Sequence, residues 1–182
     1  MTALWGQQRL LAGTPRAQGI VSALLEPLMD LSELLNPSAI RSVGAVRSKK
    51  RLFHEIAQTA ETAWQIDMAT ALDALQERET LGSTGVGRGI ALPHARIDGI
   101  PAVRGIFVRL EKSFDYGSVD RAPVDLVFAL FAPQDSGAEH LKALAMVSRM
   151  LRDGGLCGKL RANGDTGKLH AILSAHADIK AA

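Results

Sequence analysis

The chain has 182 residues, a formal net charge of +2, 47% hydrophobic residues and 22% charged residues, which suits one ordinary folded domain with an extension. So small a charge, with no basic block, argues against a nucleic-acid surface and against a membrane-binding surface. No apolar run approaches the roughly 18 residues of a membrane span, so we expect no membrane insertion.

Residues 1–28 are predicted to form a poorly ordered leader, and residues 29–182 are predicted to form one domain. The leader contains Arg9 and Arg16, and Glu26 is its only acid. It resembles a transit peptide only weakly, and it lacks the clean apolar core and the small-residue cleavage site of a signal peptide. A plainer interpretation is that translation begins at Met29, which leaves the preceding residues as a loosely ordered segment.

Two helices are predicted before a glycine-rich run. Apolar residues recur at helical spacing between residues 48 and 65, and Ser48 is suited to cap that helix. Asp67 is suited to cap a second helix, from residue 68 to about residue 79.

Three strands are predicted after the glycine-rich run. They cover residues 89–93, 102–111 and 124–133, and residues 113–123 form a turn-rich connection. The third segment, VDLVFALFAP, is almost entirely apolar, which is typical of a central strand buried on both faces.

Three helices are predicted at the end of the chain. The first covers residues 137–153 and is ended by a glycine pair at 154 and 155, the second covers residues 156–162, and the third runs from residue 165 to about 177. The single cysteine, Cys157, excludes an internal disulfide and a zinc pattern, fits a reducing cytosol, and is expected to be a small buried residue on a helix. The element order predicts an α/β or α+β fold in which helices flank a mixed β-sheet.

The glycine-rich run reads GSTGVGRGIALPHAR over residues 82–96. It is not a nucleotide-binding P-loop, because no Lys-Ser or Lys-Thr pair follows the glycines. It is not a dinucleotide fingerprint either, because it follows a predicted helix and opens a predicted strand. Two interpretations are left: a flexible surface turn, or a stretch whose small residues let another backbone approach closely.

His94 is the candidate nucleophile. Pro93 restricts the backbone entering His94, and an imidazole at the end of a strand beside a glycine turn can attack an electrophile near neutral pH. His140 opens a helix after the predicted central strand, and Arg78 lies just ahead of the glycines. Together these residues form a candidate anion site without metal, in which His94 attacks a phosphoryl group while His140 and Arg78 balance its charge.

The alternatives are that His94 is a structural histidine and that His140 is only a surface residue at a helix start. The other histidines do not add a metal site. His54 is placed on the polar side of the first helix, His170 and His176 do not share a face of the last helix, and no H-x-x-x-H pair is present.

The run from Gly82 to His94 closely resembles the phosphorylation-site signature of bacterial phosphotransferase-system (PTS) enzyme IIA domains of the fructose/mannitol class. The nitrogen-regulatory branch matches best. That branch is also resembled by Ser48-Lys49-Lys50-Arg51, Arg78-Glu79, the segment from Pro123 to Leu130, and His140-Leu141. The resemblance covers roughly residues 30–177.

The resemblance implies a mixed sheet flanked by helices and a phosphohistidine relay. An HPr-like phosphocarrier is expected to donate a phosphoryl group to His94, giving a tele-phosphohistidine. His140 is expected to stabilise the phosphate, and Arg78 to neutralise charge. No metal, nucleotide or other cofactor is implied. The output is expected to be cytoplasmic regulation of target proteins, such as kinases or potassium-transport components, according to phosphorylation state.

Two departures from the family pattern and two rival functions stay open. Arg88 stands where members often carry Asn or an acid, and we expect its side chain to point to solvent; Ala95 stands where Gly is frequent.

One rival to the regulatory function is a sugar-specific IIA that passes phosphate to a IIB transporter domain. The other is a non-catalytic binding module. Whether this phosphocarrier is best classed as an enzyme is left open.

Overall fold

The computed structural model describes residues 30–181. The predicted leader and the proposed start at Met29 lie outside these residues. The helices are α1 (Leu31–Leu34), α2 (Lys49–Trp64), α3 (Met68–Thr80), α4 (Gly137–Leu151), α5 (Gly154–Arg161) and α6 (Thr166–Ala181), with a 3-10 turn at Pro37–Ala39. The strands are β1 (Ile40–Ala45), β2 (Gly85–Gly87), β3 (Ile90–Ala91), β4 (His94–Ile97), β5 (Arg104–Phe114) and β6 (Val124–Pro133).

The strands form one mixed sheet in the order β1-β5-β6-β3-β2, and β4 also pairs with β6. Strand β6 is antiparallel to β5 and parallel to β3 and β4. Residues 126–132 of β6 are fully buried, as the continuous apolar pattern predicted. The predicted fold class, a mixed sheet flanked by helices, is therefore confirmed.

Helices α2 and α3 begin where their capping residues predicted. The Ser48 hydroxyl accepts a hydrogen bond from the Arg51 amide at 3.2 Å, and the Asp67 carboxylate accepts one from the Thr70 amide at 2.8 Å. Each side chain satisfies a backbone donor that has no partner within its helix. Gln65 ends α2 in the left-handed conformation, with φ of 59°.

The N-terminal edge of the sheet was not predicted. Strand β1 has the sequence IRSVGA and pairs in parallel with β5, so that Ile40 lies opposite Phe107. Only Ile40 is buried in this strand, so it lacks the alternating apolar pattern that identifies a strand from sequence. Its pairing joins segments far apart in the chain, which no local pattern shows.

The predicted strand over residues 89–93 is confirmed only in part, because β3 covers Ile90 and Ala91 alone. After Leu92 and Pro93, a second short strand, β4, begins that was not predicted. Proline has no amide hydrogen to donate to a neighbouring strand, which favours the interruption. His94 therefore begins strand β4, opposite Leu130 of β6, rather than ending a strand.

The glycine pair at 154 and 155 begins a helix instead of ending one. Helix α4 ends at Leu151, and the Asp153 carboxylate caps α5 by accepting from the amides of Gly155 and Leu156 at 2.9 and 3.1 Å. Aspartate is a preferred N-cap residue, and at this position its effect outweighs the tendency of the glycines to end a helix. Cys157 lies on α5, is 3% exposed and donates to the Leu151 carbonyl, so its predicted burial is confirmed.

Candidate functional site

The glycine-rich turn packs against its own chain. A Cβ atom on Gly85 would lie 2.5 Å from the Ser118 hydroxyl oxygen, and one on Gly89 would lie 2.6 Å from a guanidinium nitrogen of Arg161. Gly82 differs, since no described atom lies within 4 Å of a Cβ placed there. The close approach predicted from the glycines is thus intramolecular at Gly85 and Gly89, and only Gly82 faces open space.

Arg88 is exposed, as expected, with its backbone in the left-handed conformation at φ of 58°. Its amide donates to the Asp120 carboxylate at 2.8 Å, and its guanidinium donates to the Arg152 carbonyl at 3.1 Å. Among residues 30–181, it makes no hydrogen bond to His94. Its side chain therefore braces the turn against the junction of α4 and α5.

A buried carboxylate fixes the start of the same turn. Glu79 accepts hydrogen bonds from the Lys49 ammonium at 2.6 Å, the Thr84 hydroxyl at 2.6 Å and the Tyr116 hydroxyl at 3.2 Å. The Lys49 ammonium also lies 4.4 Å from the centroid of the Tyr116 ring, and burial raises the pKa of Tyr116 well above its usual range. The sequence placed Glu79 in a family motif but assigned it no role, because its partners Lys49 and Tyr116 lie 30 and 37 residues away along the chain.

His94 is half-buried, and its ring is held by two hydrogen bonds. Nδ1 lies 2.9 Å from the Leu92 carbonyl oxygen; because that oxygen can only accept, Nδ1 carries the proton and Nε2 carries the lone pair. The Arg78 Nε donates to that lone pair at 3.1 Å. Burial lowers the pKa of His94, which favours the neutral, nucleophilic ring at physiological pH.

His140 lies beside His94 and is only 6% exposed. The two ring centroids are 5.6 Å apart, with an edge-to-face angle of 78°. Neither ring nitrogen of His140 has a hydrogen-bond partner within the described part of the chain. Burial, followed by the charges of His94, Arg96 and Arg78, lowers the pKa of His140 to about 4, so its ring is neutral at pH 7. The alternative of a surface histidine is wrong.

Arg78 joins these rings from the last turn of α3. Besides its bond to His94, it donates from Nη1 to the carbonyl of Gly82, at the start of the glycine-rich turn, at 3.1 Å. The structure therefore brings together all three residues that the sequence singled out. A buried polar group without a partner costs about 1–3 kcal/mol, and both ring nitrogens of His140 are left without one beside His94.

Neither a metal site nor a membrane span is found among the described residues. No group of three or more His, Cys, Asp or Glu side chains in residues 30–181 is arranged to hold a metal ion. No helix in that range is long and apolar enough to cross a membrane.

Solved structures that are similar to this fold include PTS IIA proteins. The nitrogen regulatory protein IIA-Ntr from Neisseria meningitidis superposes with a TM-score of 0.72 at 33% identity, covering 79% of this chain and 98% of that chain. The mannitol IIA of Escherichia coli superposes with a TM-score of 0.66 at 18% identity, covering 76% and 98%, and this likeness concerns the fold alone. The fold therefore defines a protein of the PTS IIA class.

Residues 33–176 match the family model described as "Phosphoenolpyruvate-dependent sugar phosphotransferase system, EIIA 2", and the chain belongs to this family. Similar proteins are the nitrogen regulatory protein of Bradyrhizobium diazoefficiens, 42% identical over 147 residues, and that of Escherichia coli, 37% identical over 148 residues. These alignments cover 80% of this chain and 95% and 90% of the relatives. The predicted resemblance to the nitrogen-regulatory branch is confirmed.

Proposed function

We propose that this chain is a regulatory phosphocarrier that accepts a phosphoryl group on Nε2 of His94 from the phosphohistidine of an HPr-like carrier. The observation that carries the proposal is the hydrogen bond from Nδ1 to the Leu92 carbonyl, which leaves Nε2 as the nucleophilic nitrogen. The two unpartnered nitrogens of His140 beside that ring support it.

The transfer exchanges one nitrogen–phosphorus bond for another. The Nε2 lone pair of His94 forms the new bond to phosphorus, the bond to the carrier's imidazole breaks, and its electron pair returns to the carrier's nitrogen. Because Nδ1 keeps its proton, positive charge develops on the His94 ring, and the Leu92 carbonyl stabilises it. Transfer between two imidazoles involves little change in bond energy, so positioning and charge neutralisation determine the rate.

His140 and Arg78 have separate roles in this scheme. His140 is neutral at pH 7 and supplies one N–H donor to a phosphoryl oxygen, which satisfies a nitrogen that otherwise lacks a partner. Arg78 supplies a full positive charge. Its Nε must first leave the lone pair of His94, and its guanidinium then donates to the phosphoryl oxygens.

A protein donor, rather than a small molecule, fits the surface around the site. Within residues 30–181, the large hydrophobic side chains that are strongly exposed are Leu81, Val86, Val119 and Leu141. Leu81 precedes Gly82, Val86 lies in the glycine-rich turn, the Val119 amide bonds to Gly85, and Leu141 follows His140. Apolar side chains gathered at the border of a reactive group are typical of a docking surface.

The output that we propose is regulation of target proteins. A phosphoryl group on His94 adds nearly two negative charges to the docking surface and changes which partners bind there. Similar proteins are named nitrogen regulatory proteins, which supports a regulatory output, and the targets that we propose are cytoplasmic bacterial proteins such as kinases or potassium-transport components. The working unit that we propose is the domain of residues 29–182.

The test is phosphoryl transfer from a phosphorylated HPr-like carrier to the full chain. The transfer is measured as acid-labile radiolabel on the chain and as the mass increase of one phosphoryl group. Wild type should take up one phosphoryl group, His94→Ala none, and His140→Ala should take it up more slowly. Equal labelling of His94→Ala would refute the acceptor assignment, and no labelling of wild type would favour a pure binding module. Rapid loss of the label to a sugar-type IIB domain would favour the sugar-transport rival.

A further inference from the structure

Arg96 is a second arginine that the strand geometry brings to the phosphoryl site. Side chains alternate along β4: Ala95 and Ile97 are buried, while His94 and Arg96 lie on the opposite face. Residues two apart on a strand are about 6.6 Å apart, within reach of a long arginine side chain. The sequence analysis assigned Arg96 no role.

The charge of Arg96 already acts on the site. It contributes, after burial and His94, to the lowered pKa of His140, which agrees with the position of Arg96 two residues from His94 on the same face of β4. Within residues 30–181, the guanidinium makes a single hydrogen bond, to the Gln134 carbonyl at 3.4 Å. That distance lies beyond the usual range for such a bond, so most donors of Arg96 are free to take a ligand.

Arg161 and Arg51 are held by carboxylates. Arg161 forms two hydrogen bonds with Asp125 at 2.7 and 2.8 Å, and Arg51 pairs with Glu55 on the same helix. Arg96 has no carboxylate partner among the described residues and is exposed. A loosely held, solvated cation beside a nucleophile is suited to meet an incoming anion at little cost in broken contacts.

We propose that Arg96 is a second cationic residue of the phosphoryl site, which donates hydrogen bonds to the phosphoryl oxygens alongside Arg78. This role rests on the proposed phosphorylation of His94. A phosphoryl group presents three oxygens and about two negative charges. His140 is neutral at pH 7 and Arg78 brings one positive charge, so Arg96 completes the charge balance.

The test uses phosphoramidate as a small phosphoryl donor, which removes any effect of protein docking. Nε2 of His94 forms the bond to phosphorus, the phosphorus–nitrogen bond of phosphoramidate breaks, and ammonia leaves with the electron pair. Loss of one charge-assisted contact should slow labelling of Arg96→Gln about tenfold and weaken competitive inhibition by inorganic phosphate by a similar factor. Arg96→Lys should recover part of both effects.

The control is Arg41→Gln, which removes the same charge from β1, at the far end of the sheet order. It should label at the wild-type rate, and all three variants should keep the wild-type thermal unfolding profile. A wild-type labelling rate and phosphate inhibition constant in Arg96→Gln would overturn the role of Arg96 and leave the acceptor assignment intact. Absence of label on wild-type His94, with phosphoramidate and with the phosphorylated carrier alike, would overturn both proposals.

Discussion

The Nε of Arg78 lies 3.1 Å from Nε2 of His94 and donates a hydrogen bond to the lone pair that the proposed reaction needs. The same guanidinium is held by the Gly82 carbonyl at 3.1 Å. Arg78 thus covers the nucleophile before the donor arrives. The charged oxygens of an incoming phosphoryl group are better acceptors for the guanidinium than a neutral imidazole nitrogen is. Binding of the phosphoryl group therefore favours the movement of Arg78 from His94 Nε2 to the phosphoryl oxygens.

Replacing Arg78 should separate these two effects. Arg78→Ala uncovers the lone pair but removes the charge that stabilises the phosphoryl oxygens, and we expect transfer from the carrier to slow by about a hundredfold. Because the charge of Arg78 lowers the pKa of His94, this substitution should also raise that pKa. Single-turnover transfer rates and a proton NMR titration of the His94 ring provide the two measurements.

Arg78→Lys keeps the charge without the planar fork and should fall between wild type and Arg78→Ala. Arg41→Ala on β1 is the matched control, with no expected change in rate. If Arg78→Ala transferred as fast as wild type, Arg78 would have no part in charge neutralisation.

His140 should make the fold sensitive to acid. Its pKa is about 4 in the folded chain against an ordinary value of 6.5, so between these values the unfolded chain binds more protons. Stability therefore rises with pH across this window, and it is lost as pH falls from about 6.5 toward 4. His140 contributes at most about 3 kcal/mol to this loss, and His94, whose pKa is also lowered, adds to it with the same sign.

Urea unfolding at pH 7.5, 5.5 and 4.5 measures this dependence. His140→Gln, which cannot titrate, should lose less stability between pH 6.5 and 4 than wild type does. His54→Gln removes an imidazole from α2 and controls for the loss of a histidine outside the site. An unchanged slope in His140→Gln would show that His140 does not titrate in this window.

The sequence predicted the elements whose signals are local. The caps at Ser48 and Asp67 placed α2 and α3 to within about one residue, and the apolar run placed β6. Strand β1 was missed because only Ile40 is buried in it and its partner strand lies far along the chain. The glycines before Leu156 were misassigned because glycine signals a helix end in general, whereas the preceding Asp153 is a specific start.

The site shows the same division between local and long-range information. Their positions beside the glycine-rich run and at a helix start, together with the family resemblance, singled out Arg78, His94 and His140, which come from α3, β4 and α4. The partners of Glu79 come from α2, the glycine-rich turn and the connection before β6. No sequence spacing links those segments. The alternation along β4 was hidden as well, because the predicted strand ended at Pro93 and so did not reach Arg96.

Glu79 should be a large single contributor to stability near the site. Its side chain is 9% exposed, and its removal takes a charged acceptor from the Lys49 ammonium and from the hydroxyls of Thr84 and Tyr116. We expect Glu79→Ala to lower the free energy of unfolding by about 3 kcal/mol, and Tyr116→Phe, which removes one hydroxyl, by about 1 kcal/mol. Glu77→Ala, at an exposed position on the same helix, should change it by less than about 0.5 kcal/mol. Urea unfolding distinguishes these values. If Glu79→Ala lowered the free energy of unfolding no more than Glu77→Ala does, the hydrogen bonds of Glu79 would not contribute to stability.

Gly89 should tolerate alanine less well than Gly99, although the two share nearly the same backbone conformation, with φ of 79° and 78°. Alanine at either position adopts a left-handed conformation, which costs about 1 kcal/mol. A Cβ at Gly99 meets no described atom within 4 Å, whereas one at Gly89 lies 2.6 Å from Arg161 and 2.9 Å from Asp125. Gly89→Ala should therefore lower the free energy of unfolding by about 1–2 kcal/mol more than Gly99→Ala, because it displaces a paired guanidinium. Arg161→Ala combined with Gly89→Ala should cost less than the sum of the two single changes, since Arg161→Ala removes the guanidinium against which the new Cβ at residue 89 pushes. Strictly additive costs would mean that the glycine is required for its backbone angle alone.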